Sequence, residues 1–149
     1  MNKAAFLTVK IALTLTTVVL LQSCATSNED EFTCGSVASY ITPPTADSLY
    51  RVVVTHLDGK PVISRPYYKL AAGSHEFTVA ELIESADLKV KLAARQTKTI
   101  TVEVEREQRY HLAAEFKQDK VYSGLNTDYW LPVVWKQEFH ECAFANPME

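Results

Sequence analysis

Glycine is scarce in this chain of 149 residues, which holds only 4 of them. They stand far apart, so no Gly-rich loop able to cradle a phosphate can be assembled from neighbouring positions. The G-x-S-x-G nucleophile elbow is also missing, and the serine–histidine neighbour pair Ser74-His75 sits where a turn is expected. Cysteine is limited to Cys24, Cys34 and Cys142, none of them in a C-x-x-C pair, which removes the usual spacing of a structural zinc site. Positive charge is in deficit, with 15 basic against 18 acidic residues and a net charge of −3. A nucleic-acid binder would need a basic patch that this balance does not supply, and the same deficit argues against a polybasic grip on anionic lipid. Long apolar runs are absent too. The segment Ile11 to Leu21 is about half of the roughly 20 residues a membrane-spanning helix needs, and its threonines dilute it further.

What is present begins with that segment. Lys3 and Lys10 precede it and small or polar residues follow, the three-part plan of a secretory signal. It closes on Leu21-Gln22-Ser23-Cys24, which resembles the lipobox of bacterial lipoproteins. The resemblance implies that residues 1–23 are cut away and that Cys24 carries a thioether-linked diacylglycerol and an N-acyl chain. Two or more chains hold stably to a leaflet where one holds weakly. In such lipoproteins an Asp after the cysteine favours the inner membrane, so Ala25 implies the outer membrane, with the domain facing the periplasm. The alternative is an ordinary cysteine beside a conventional cleavage site. Residues 24–32 are polar and acidic without periodicity, a solvated tether. Residues 33–149 then form one small domain, more acidic than the whole because Lys3 and Lys10 leave with the signal.

If Cys24 is lipidated, Cys34 and Cys142 remain as a pair in an oxidising compartment, and a disulfide between them is expected. Closing so long a loop contributes about 4–5 kcal/mol in the chain-entropy model and ties the first and last strands together. The competing reading is a reactive or metal-binding thiol, since Cys142 follows His140 and Glu141.

The domain reads as strands. Leu49 to Leu57 is valine-rich, and Asp58-Gly59 followed by Pro61-Val62-Ile63 marks a hairpin. Pro61 and Pro66 push its second arm to a sheet edge. Tyr67 to Leu70 continues the extended chain to a turn at Ala71-Ala72-Gly73-Ser74, which delivers Phe77 and Val79 to one face. Ala80 to Glu84 fits a loop or a helical turn, whereas Leu88, Val90 and Leu92 alternate with Lys89 and Lys91 as in a half-buried strand. The clearest pattern is Thr97 to Phe116, where Ile100, Val102 and Val104 oppose Thr101, Glu103 and Glu105. After Arg106-Glu107-Gln108, the residues Tyr110, Leu112, Ala114 and Phe116 alternate with Arg109, His111, Ala113 and Glu115. This predicts an antiparallel hairpin with one wet face. The final run places Leu131, Val133, Trp135 and Phe139 on one side. Short strands with one-sided alternation and no long helical period predict an all-β fold, a single antiparallel β-sandwich.

The segment Leu70 to Val79, with its glycine turn and histidine, then Thr99-Ile100-Thr101-Val102 and Arg109-Tyr110-His111-Leu112, resembles the PEGA-like domains of bacterial envelope proteins. The likeness spans roughly Ser48 to Phe116 and implies an immunoglobulin-like sandwich used in envelope assembly, with no catalytic residues to carry over.

Residues that carry chemistry are few. His56, His75, His111 and His140 are scattered, with Asp58, Glu76, Glu115 and Glu141 near them in sequence, so a metal site requires that they meet in the fold. Tyr122 to Trp130 mixes rings with small polar groups, and Tyr122, Tyr129 and Trp130 suit contact with a sugar or peptide; the alternative is that they cap one end of the sandwich. The resulting expectation is a non-enzymatic, cofactor-free envelope accessory or binding module with a protein or glycan partner. The competing expectation is a small metal-dependent hydrolase whose histidines converge.

Overall fold

The computed structural model describes residues 33–144. The signal segment, the tether with Cys24, and the last five residues lie outside the described residues. The described residues are all-β, 53% strand and 5% helix. Its strands are β1 (Gly35–Ala38), β2 (Leu49–Tyr50), β3 (Val52–Leu57), β4 (Lys60–Pro61), β5 (Tyr67–Leu70), β6 (Gly73–Glu81), β7 (Lys89–Val90), β8 (Lys98–Val104), β9 (Gln108–Phe116), β10 (Ser123–Gly124) and β11 (Trp130–Phe139).

Alternation along these strands gives each an apolar side, and two sheets bury those sides against each other. One sheet runs β11-β9-β1-β5, with β2 also on β9; the other runs β4-β3-β6-β8. Val37, Tyr110, Leu112 and Phe116 of the first meet Val52, Val54, Phe77, Val79, Val102 and Val104 of the second in one core cluster. Most pairings are antiparallel, but β1 lies parallel to β9 and the short pair β7 and β10 is parallel as well. The chain crosses between the two large sheets at Arg51, between β2 and β3, and then between β4 and β5, β5 and β6, and β8 and β9. Because Gly73 and Ser74 already belong to β6, the expected turn reduces to Ala71-Ala72, and Ser74-His75 is in a strand.

The β3–β4 hairpin forms as its sequence predicts. Asp58 (φ 49°) and Gly59 (φ 73°) both take the positive φ of a tight hairpin turn. Asp58 also accepts from the Glu76 N–H and pairs with His75, each at 2.9 Å. These two bonds hold the Asp58 carboxyl below its usual range. β4, with Pro61, stands at the sheet edge.

Three expectations need correction. β8 and β9 do not form a hairpin, since β8 pairs with β6 and β9 with β1, β2 and β11. The link Glu105-Arg106-Glu107, with Glu107 at φ 57°, arches from one sheet to the other. Gly35 lies beneath that arch, where a Cβ would run into the Glu105 carbonyl oxygen and Val104 Cγ1. On β9 the expected wet face is mostly buried, for Arg109, His111 and Ala113 are covered and Glu115 alone of the four is exposed. Secondly, Leu88 and Val90 are buried but Leu92 is 81% exposed, because it opens the 3-10 turn Leu92–Ala94 rather than extending β7. Thirdly, a bulge at Trp135 shifts the register of β11. Trp130, Pro132 and Val134 oppose Phe116, Ala114 and Leu112 on the inner face, Leu131 and Val133 face outward, and Phe139 falls beyond the bulge, 65% exposed.

Candidate functional site

The cysteine pair is bonded: Cys34, just ahead of β1, joins Cys142, just past β11, with their Cα atoms 5.1 Å apart. The reading of Cys142 as a reactive or metal-binding thiol therefore fails. The histidines stay apart on β3, β6, β9 and the segment after β11. Among the described residues no group of three His, Cys, Asp or Glu side chains comes together.

Tyr122, Tyr129 and Trp130 point inward, at 3%, 0% and 0% exposure, so they offer no free ring face and serve as the cap. The Tyr122 hydroxyl donates to Asp119 Oδ1 at 2.7 Å, and that bond pushes its pKa up to about 12. The Tyr129 hydroxyl donates to buried Glu81 Oε1 at 2.7 Å; burial, then Glu81, raises its pKa far above the ordinary phenol value. Glu81 Oε2 accepts from the Ile83 N–H at 2.6 Å, and Arg95 lies 3.6 Å from Oε1. This buried carboxylate is fully occupied, and it pins the loop after β6 to the chain entering β11.

The candidate site lies on the outer face of the β11-β9-β1-β5 sheet, where the sequence predicts water. Pairing places Tyr67, Ala38, His111 and Lys136 in one row across four strands, and Lys69, Ser36, Arg109 and Glu138 in the next. The central positions Ser36, Ala38 and Ala113 are small, so longer side chains lean over them. Arg109 Nε donates to Ser36 Oγ at 3.2 Å and Nη1 to the Tyr40 hydroxyl at 3.4 Å, with its guanidinium 5.3 Å from the centre of the Tyr67 ring. His111, 1% exposed, stands between the rings of Tyr40 at 6.1 Å and Trp135 at 6.0 Å. Its Nε2 pairs with Glu138 Oε1 at 2.9 Å. Lys136, and after it His111, hold the Glu138 carboxyl down to about 2.

Two polar atoms in this cluster, His111 Nδ1 and Trp135 Nε1, are buried without a hydrogen-bond partner. Each such group costs about 1–3 kcal/mol. Of the rings in this cluster, those of Tyr40 and Tyr67 reach solvent, at 44% and 42% exposure, while Arg109 and His111 are buried beneath them. Sequence reasoning assigned Arg109 and His111 to solvent because they alternate with apolar residues. The available signal was the run of small residues, Ser36, Ala38 and Ala113, that leaves room for neighbours to fold inward. No protein-family model, curated protein or solved structure matches this chain.

Proposed function

We propose that this chain is a non-enzymatic lipoprotein of the outer membrane, anchored through a lipidated Cys24, whose disulfide-closed sandwich binds an envelope protein or glycan. The observation that carries the reading is the use of the cysteines. The Cys34–Cys142 bond accounts for two thiols and suits an oxidising compartment, leaving Cys24 as the third, placed directly after an apolar run. Two opposed sheets with strands crossing between them suit the immunoglobulin-like arrangement that the PEGA-like resemblance implies. The half-exposed rings of Tyr40 and Tyr67 on the outer face suit a binding role.

Mass spectrometry of the protein from the membrane fraction tests the anchor. Peptides starting at Cys24 with two ester-linked chains and one amide-linked chain are expected, and Cys24→Ala should leave the leader uncut. An unmodified Cys24 in the wild-type membrane fraction overturns the reading.

A further inference from the structure

A sheet accepts a foreign strand only at an edge whose backbone groups are free. Among the described strands of the two large sheets, β4 and β8 end one, and β5, β11 and the two-residue β2 end the other. β2 is too short to template a strand, and three of the other four edges are obstructed. β4 is two residues long and includes Pro61, while β11 carries Pro132 and the bulge at Trp135. β8 packs along β11, with Lys98 Nζ donating to the Trp130 carbonyl at 2.7 Å. β5 contains neither proline nor bulge, since Pro66 lies just outside it.

The phase of β5 follows from one bond. The Ser39 N–H donates to the Pro66 carbonyl at 3.1 Å, and bonded pairs alternate along an antiparallel ladder. Val37 with Tyr68 and Gly35 with Leu70 are thus the bonded pairs, and the N–H and C=O of Tyr67 and Lys69 point away from β1. They point toward a groove of about 520 Å3 lined by Leu57, Arg65, Tyr67, Tyr68, Lys69 and Phe144. The lining holds two cations and no carboxylate, on a chain of net charge −3. Lys69 Nζ reaches only a neutral backbone acceptor, the Ala143 carbonyl at 2.8 Å. Arg65 makes no ion pair among the described residues.

We propose that the β5 edge receives an extended acidic segment of a partner protein as an added strand, an inference that rests on the binding-module reading above. The main chain of Tyr67 and Lys69 bonds the incoming backbone. Carboxylates on alternate residues meet Arg65 and Lys69, and the apolar residues between them enter the groove over Leu57 and Phe144.

The test uses the full chain in mild detergent and two labelled peptides, one alternating Glu with Val and one alternating Lys with Val. Fluorescence anisotropy should show the Glu peptide binding at least about tenfold more tightly than the Lys peptide. The double variant Arg65→Glu, Lys69→Glu should reverse that preference with an unchanged melting temperature. Hydrogen exchange at the Tyr67 and Lys69 amides should slow when the Glu peptide binds. Equal binding of the two peptides, no binding by either, or protection on β11 instead of β5 overturns the proposal. Soluble peptidoglycan fragments that bind without protecting β5 would overturn it while leaving the binding-module reading standing.

Discussion

Glu138 is the side chain whose contribution depends most directly on acidity. Lys136 and His111 lower its pKa from 4.5 to about 2. A carboxylate depressed in the fold contributes stability that is complete above its unfolded pKa and is lost as pH falls through its folded one. The window is therefore about pH 4.5 down to about 2. Glu138→Gln should melt below the parent at pH 6, and the gap should close as the pH approaches 2. Thermal melts across that range check it, and a gap of constant size would refute the pairing. Gly35 is the other residue whose chemistry is sharply defined, because any side chain there meets the arch at Glu105. Gly35→Ala should cost about 1–3 kcal/mol, the usual result of overpacking a closed site; its urea midpoint measures this.

At the scale of elements, β8 supplies the cleanest contrast between faces. Val102 is 3% exposed and lies within the core, whereas Thr101 pairs with Glu76 on the wet side. Val102→Asp buries a charge without a partner and should remove several kcal/mol, a large share of a typical domain's roughly 5–15. Thr101→Asp should cost under about 1 kcal/mol, most of it from facing Glu76. The comparison of urea midpoints is decisive, for a larger loss at Thr101 would mean the register is wrong by one residue. The inner faces of β8 and β9 were legible because a period of two in side-chain character needs only local sequence, whereas the bulge at Trp135 broke that period in β11. Partner choice was not legible. Glu105-Arg106-Glu107 is short enough for a hairpin, but β8 pairs with β6 and β9 with β1 and β11, and the Glu107 N–H donates to the Cys34 carbonyl at 2.8 Å across the arch. The rings of Tyr129 and Trp130 left two readings open, contact or cap, and the fold decides for the cap. A loop rich in Ser, Gly and Asn announces exposure, but buried Glu81, far away in sequence, draws Tyr129 inside.

For the whole molecule, the disulfide was the long-range contact most readily read in advance, since reading Cys24 as the lipidated cysteine leaves Cys34 and Cys142 as the pair. It bridges a sequence separation of 108, which corresponds to about 4–5 kcal/mol of denatured-state constraint in the chain-entropy model. Cys34→Ser should leave Cys142 free to alkylation after unfolding and should lower the urea midpoint. Alkylation of both cysteines in the unreduced parent would disprove the bond. The outer-face cluster was beyond sequence, because its rows exist only once β5, β1, β9 and β11 lie side by side. The bond also has a mechanical consequence. Cys34 and Cys142 stand outside β1 and β11, so tension between the two ends of the chain passes through sulfur and bypasses every strand between them. An optical trap gripping both ends should record no extension from the sandwich until a reductant is added, after which the strands between the cysteines can unravel.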